Sequence, residues 1–179
     1  MIQFIKRFNF WFSADRIGPD IPTTHWMLFF KQSMKSLCRK KFNSFHETAE
    51  VRPYSYMVNC SKISLGENVV IRPNTMLFAS KNASITIRDN AMLGSGVHIY
   101  VHNHSFGQIN VPIIDQGYSS SEDVLVDSGS WIGANSIILS GVTIGKNSVV
   151  AANSVVSNDV PDHCLVAGNP AIIIRNFRN

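Results

Sequence analysis

Residues 130–156 read SWIGANSIILSGVTIGKNSVVAANSVV, and the spacing within them decides the fold. Ile132, Ile138, Ile144, Val150 and Val156 stand at every sixth position. A helix repeats near 3.6 residues and a strand at 2, so neither has this period. Outward from the stretch, Val126 extends the series; Ile87, Leu93 and Ile99 form a second, and Leu65, Ile71 and Leu77 a third. Repetition at a short fixed period marks a stacked solenoid. Three hexads make one triangular coil, which predicts that Ile132 lies under Val150 and Ile138 under Val156.

The residues between the aliphatics suit short strands joined by tight bends. Small or β-branched residues come four places after an aliphatic: Val69, Thr75, Ser130, Ser136, Val142, Ser148 and Ser154. Gly66, Gly94, Gly133 and Gly145 directly follow one, while Asn68, Asn74, Asn90, Asn135, Asn147 and Asn153 sit nearby. Gly and Asn are expected to take the positive φ of the bends.

The rhythm fails twice. A short break at Ser80–Ser84 predicts a bulge. A long one between Ile99 and Val126 contains HNHSFGQINVPIIDQGYSSSED, which has no coil pattern and must be a projecting loop. Loops on rigid scaffolds are where chemistry concentrates.

Residues 1–50 have another texture. Met27, Phe30, Met34, Leu37 and Cys38 recur at helical spacing, predicting a helix over about 24–42, capped by Thr23 or Thr24 after Pro22, with RKK at 39–41 favouring its C-terminal end. The domains expected are an N-terminal helical and aromatic segment over 1–58, the solenoid over 59–160 with its loop at about 103–123, and a tail over 161–179.

The chain has 179 residues, of which 45% are apolar, enough for one domain with a core. Three scattered cysteines, Cys38, Cys60 and Cys164, make neither a disulfide framework nor a metal motif. No apolar run approaches the roughly 18–20 residues that span a bilayer. MIQFIKRFNFWFSADR lacks the features of a secretory signal, so a cytoplasmic protein is expected. The net charge is +4, and residues 1–50 hold eight Lys/Arg against four Asp/Glu. That excess lies beside Phe4, Phe8, Phe10, Trp11 and Phe12. It fits either a subdomain packing its aromatics inward or one meeting a membrane surface or an anionic substrate.

His102 and His104 stand at the root of the long loop, two apart and so on one side of an extended chain. One of them suits a general base, since neutral imidazole accepts a proton near pH 7; the other reading is a pair of solvated histidines. His98 adds a third imidazole, but it is six residues from His104 and lies on another face, so a metal site would need a neighbouring subunit.

The blocks SWIGANSIILSGVTIGKNSVVAANSVV (130–156) and VAGNPAIIIR (166–175) resemble the hexapeptide-repeat acyltransferases, in the branch with the maltose and galactoside acetyltransferases. SADRIGPDIP, SGVHIYVHNHSF and IIDQGY further resemble the polysaccharide O-acetyltransferases. The resemblance, over about 60–175, implies a mainly β fold, a left-handed parallel β-helix with a small N-terminal helical segment and a C-terminal tail. It implies O-acetyl transfer from acetyl-CoA to a hydroxyl of a sugar or polysaccharide precursor, in a homotrimer whose active sites are shared between subunits. His104 would be the base, and Asn74 a contact to the acceptor, with Asp15 within reach. Trp131, Gly133, Ala134, Ala152 and Arg175 would meet the coenzyme. No metal and no nucleic acid are implied; peripheral membrane contact would run through the N-terminal segment. The chain departs from the family at Asn153, where Gly is usual, and at Asn158 and Ile172, where basic residues are common; Lys146, Arg175 and Arg178 remain for the coenzyme phosphates. Two rival readings keep the scaffold and change the activity: a zinc lyase of carbonic-anhydrase type, and a non-catalytic assembly module.

Overall fold

The structure, a computed structural model, describes residues 2–178; Met1 and Asn179, at the outer ends of the N-terminal segment and the tail, lie outside the described residues. It is a left-handed parallel β-helix with a small helical segment ahead of it. All twelve predicted aliphatics are buried, at 1% exposure or less. Ile132 pairs with Val150 and Ile138 with Val156, the expected stacking.

Three sheets form the faces of the prism. The first face holds Ser44–Phe45, Ile63–Leu65, Ile85–Ile87, Val124–Val126 and Thr143–Ile144. The second holds Glu50–Val51, Val70–Ile71, Met92–Leu93, Trp131–Ile132, Val149–Val150 and Cys164–Gly168, and Ala171–Asn176 folds back antiparallel at its end. The third holds Tyr56–Val58, Met76–Phe78, His98–Tyr100, Ile137–Ile138 and Val155–Val156, with Arg16–Ile17 antiparallel on its outer edge.

The solenoid thus begins near Ser44, one coil before the expected boundary at 59. Phe45, Val51 and Met57 keep the six-residue spacing, but a 3₁₀ turn at Cys60–Lys62 and the two-step shift from Ile63 to Leu65 reset the register behind them. The tail is likewise no appendage, since Val149 and Val150 pair with Leu165 and Val166.

The predicted single helix is broken into Pro22–His25, a 3₁₀ turn at Trp26–Phe29 and a helix at Lys31–Lys41, with Phe30 extended between them. In one straight helix Leu28 would point roughly 120° away from the stripe of Met34, Leu37 and Cys38. The break lets all four be buried. The helix at Pro22–His25 starts without a threonine cap; Ile21 occupies the cap position. Arg39, Lys40 and Lys41 do occupy the last turn of the helix at Lys31–Lys41.

All six predicted asparagines have positive φ. The four glycines after the aliphatics do not. They serve close approach instead: a Cβ on Gly133 would lie 2.4 Å from the Ala152 nitrogen, and one on Gly145 2.5 Å from that of Asp162. The small corner residues are buried, and their hydroxyls tie one coil to the next. Ser130 Oγ donates to the Gly145 carbonyl at 2.8 Å, Ser136 Oγ to Ala151 at 2.9 Å and Ser148 Oγ to Pro161 at 2.6 Å. Buried hydroxyls need such partners.

Two predictions follow the packing. Gly145→Ala forces the coil above it to move and should cost about 1–3 kcal/mol in thermal unfolding; an unchanged melting temperature contradicts the close-approach role. Hydrogen bonds from the Ser84 backbone to Asp123 and from the Ser128 backbone to Asp127 hold both carboxyls below the usual range. Their stabilisation is complete above the ordinary carboxylate pKa of about 4 and is lost as the pH falls through the lowered values. Asp123→Asn with Asp127→Asn should therefore flatten the acid limb of a melting-temperature profile.

Candidate active site

The long loop leaves the prism after Tyr100, at the end of a third-face strand, and returns at Val124, the start of a first-face strand. Its root is tied down there. The Val101 carbonyl accepts from the Glu122 N–H at 2.9 Å and from Ser140 Oγ at 2.7 Å. Asn103 and Ser119 bond through backbone and side chain, the Ser119 N–H donating to the Asn103 carbonyl at 2.8 Å. His104 and Tyr118 form an antiparallel bridge. Tyr118 stands between both histidines, its ring centroid 4.6 Å from that of His104 and 5.0 Å from that of His102. His104 is exposed; His102 is half-buried, its Nδ1 without a partner among the described residues. Farther out, Gln116 takes the Gln108 N–H at 2.9 Å and gives to the Gln108 and Val111 carbonyls. The tip leaves Phe106, Ile109 and Ile114 exposed, Ile109 at 99%.

Trp131 is half-exposed on the second face. Its register neighbours run Met92, Trp131, Val149, Leu165, Arg175 across adjacent strands. Arg175 therefore lies three strand spacings from Trp131, about 14 Å. Its guanidinium sits 5.9 Å over Phe177. Gly133, Ala134 and Ala152 lie where the second face turns into the third. The Gly133 N–H donates to Val150 and the Asn153 N–H to Ala134, while the Ala134 and Ala152 N–H groups have no backbone acceptor among the described residues. Of the other basic residues, Lys146 is exposed and Arg178 reaches Asp162 at 3.8 Å.

Asn74 occupies the same edge at φ +62°, in a column of positive-φ residues with Tyr54, Gly96, Asn135 and Asn153. It stands about 10 Å below Ala134 along the prism axis, two coil spacings. Asn74 lines a cavity of about 400 Å³ with Pro19, Asp20, Tyr54, Tyr56 and Met76. Asp15 does not line it: its carboxylate accepts from the Ser61 N–H at 3.0 Å and from Ser61 Oγ at 2.6 Å. The carboxylate in the cavity is Asp20, which Arg16 reaches at 3.2 Å and the Tyr56 hydroxyl at 3.4 Å. Burial, helped by Asp20 and opposed by Arg16, pushes the Tyr56 hydroxyl up, so it stays a donor at neutral pH. Gly18 makes this approach feasible, since a Cβ there would fall 2.0 Å from the Tyr56 ring. Behind the cavity, His25 accepts the Tyr54 N–H at 3.4 Å, and burial lowers its pKa. Asp20 and Tyr56 escaped the sequence reading; the signal was GPD within SADRIGPDIP, where the glycine permits contact and the acid follows two places on.

Within one chain, then, the residues expected to meet the acceptor and the coenzyme share the second face and its edge with the third. His104 hangs from the edge shared by the third and first faces, opposite the second. Within a single chain His104 therefore does not stand beside Trp131. His98 lies on the third face with Nδ1 3.0 Å from the Tyr100 hydroxyl. Among the described residues no three His, Cys, Asp or Glu side chains cluster.

Hexads stacked in a three-sided prism, with one long imidazole-bearing loop, place the chain among the parallel β-helix proteins. The family profile described as bacterial transferase hexapeptide (six repeats) matches residues 123–158. The galactoside O-acetyltransferase of Escherichia coli K12 is 30% identical over 148 residues, covering 83% of this chain and 70% of that one. A hexapeptide-repeat acetyltransferase from Vibrio cholerae, solved with acetyl coenzyme A, superposes with a TM-score of 0.72 at 28% identity, over 90% of this chain and 91% of that one. A maltose O-acetyltransferase from Clostridium difficile 630 superposes with a TM-score of 0.72 at 25% identity, over 88% and 86%. The chain belongs to the hexapeptide-repeat family of acetyl-CoA-dependent acetyltransferases.

The two aspartates should separate cleanly. Asp20→Ala should raise the acceptor KM several-fold with little change in the acetyl-CoA KM. Asp15→Ala should lower the melting temperature, having lost two hydrogen bonds worth about 1 kcal/mol each, and leave both KM values alone. The reverse pattern in steady-state kinetics and melting contradicts the assignment.

Proposed function

We propose that the protein is a cytoplasmic O-acetyltransferase that acetylates a hydroxyl of a sugar or polysaccharide precursor in sites shared between the subunits of a homotrimer. The names of the Escherichia coli and Clostridium difficile relatives support a sugar acceptor. One observation carries the shared site. Asn74, Trp131, Gly133, Ala134, Ala152 and Arg175 lie on one side of the prism, and the candidate base lies at the opposite edge. A neighbouring copy supplies the missing half. The exposed apolar tip of the loop supports this, because such a patch on a soluble surface marks a contact.

In this reading the coenzyme lies along the second face, its phosphates near Arg175, its pantetheine arm at Ala134 and Ala152 and its thioester directed down the edge toward Asn74. Trp131 supplies a flat wall to the groove. The acceptor sits in the cavity of Asp20, Tyr56 and Asn74, which offers a carboxylate acceptor and two donors to sugar hydroxyls. His104 takes the proton of the attacking hydroxyl as its oxygen bonds to the thioester carbonyl carbon. The tetrahedral intermediate collapses with cleavage of the carbon–sulfur bond, and the imidazolium returns the proton to the departing thiolate. Products are the acetyl ester and free coenzyme A, with no covalent enzyme intermediate. Packing of Tyr118 against His104 restricts the ring's orientation, which is the preorganisation such a step needs.

His104→Ala should lower kcat by roughly 10²–10⁴, read as thiol release, with the oligomer mass unchanged; full activity would mean another group is the base. A mixing experiment tests the sharing. Refolded together, His104→Ala and Arg175→Glu chains should form mixed oligomers more active than either parent, because some sites combine an intact loop with an intact face. No gain over the parents places both halves in one chain.

A further inference from the structure

The helix Ile2–Ser13 carries an apolar side that nothing among the described residues covers. At about 100° per residue, Trp11, Phe4, Phe8, Phe12 and Ile5 follow one another across an arc of about 120°. Phe4, Ile5, Phe8 and Phe12 are exposed, Phe4 at 68%. Phe4, Phe8 and Phe12 form a ladder with centroids 6.2 and 5.0 Å apart. Trp11 lies on the same arc, with the Arg7 guanidinium 5.7 Å over its ring. Lys6 is exposed on the opposite side.

The helix is anchored at one end. Ala14 is buried and its carbonyl accepts from Lys41 Nζ. Phe12 shares a groove with Met27, Leu37, Lys40 and Lys41. Next to this groove Trp26 and Phe30 are also exposed, 6.1 Å apart. An aromatic surface bordered by lysines and arginines therefore projects from the outer end of the solenoid.

We propose that this surface docks on an anionic lipid membrane, with the phenylalanines at the acyl boundary and Lys6, Arg7 and Lys40 among the lipid phosphates. Helix length decides how it sits. Twelve residues reach about 18 Å, against a hydrocarbon core of about 30 Å, so the helix lies in the surface and does not cross. Charge decides the occupant. Residues 1–50 hold eight basic against four acidic residues, and the remainder eight against eight. A basic apolar face suits anionic headgroups and repels a second copy of the same segment. The inference is independent of the acetyl-transfer reading. It adds to it a geometry in which the acceptor cavity, at the same end of the prism, faces lipid-linked substrates.

Sedimentation of the 179-residue chain with vesicles tests it without reading catalysis. The protein should pellet with phosphatidylcholine vesicles containing about 30% phosphatidylglycerol and far less with phosphatidylcholine alone. Phe4→Ser with Phe8→Ser, and separately Lys6→Glu with Arg7→Glu, should each weaken binding roughly tenfold or more, with melting temperature and oligomer mass unchanged. Failure of the wild-type protein to pellet with the anionic vesicles overturns the proposal, as does undiminished binding by both variants. A change in oligomer mass in the phenylalanine variant also overturns it, by identifying another copy as what covers the helix.

Discussion

Each coil sits directly on the one before it at strand spacing, and every other feature of this protein depends on that contact. The spacing of about 4.8 Å leaves no room for a side chain between backbones at the corners, so Gly94, Gly133 and Gly145 stand where a Cβ would strike the next coil. It also brings a buried hydroxyl on each coil within reach of a carbonyl on the next, which is why serine recurs at Ser130, Ser136 and Ser148. The interior then follows, since each hexad turns one large aliphatic and one small or β-branched side chain inward.

The same contact makes the long insertion tolerable. Ile99 pairs with Ile138 and Ile87 with Val126, across the loop, in the register that shorter coils use. Residues 101–123 leave the prism and return without shifting a strand. A rigid edge thus presents a loop whose own bonds, through Asn103, Gln116 and Ser119, fix His104 relative to the prism. The cavity around Asn74 depends on the solenoid differently: Arg16 and Ile17 pair with the first third-face strand, and this pairing delivers Asp20 to the corner.

The fold was legible wherever one rule acts alone. Asn68, Asn74, Asn90, Asn135, Asn147 and Asn153 took positive φ because a bend demands it and Asn tolerates it. The glycines were misread because two different constraints, conformational freedom and lack of a Cβ, select the same residue. The first coil was hidden because its corners use Tyr54 and Asn59, and because the turn at Cys60–Lys62 interrupts the count. Among the candidate positions, His104, Asn74 and Trp131 were legible from motifs. Asp20 was not, because contact between the N-terminal segment and Tyr56 is tertiary and leaves no period in the sequence. Nor does any periodicity reveal that His104 and Trp131 occupy opposite sides of one prism.

That opposition is the centre of the proposal that each active site takes the coenzyme face of one chain and the loop of another. The most direct test is a crystal structure of the oligomer with coenzyme A bound. The account predicts the coenzyme along the second face, phosphates near Arg175 and pantetheine arm at Ala134 and Ala152, with its sulfur directed down that edge toward Asn74 and closest to a neighbouring chain's His104. A sulfur atom seated beside His104 of the chain whose Trp131 binds the coenzyme, or a coenzyme bound away from the second face, would contradict it.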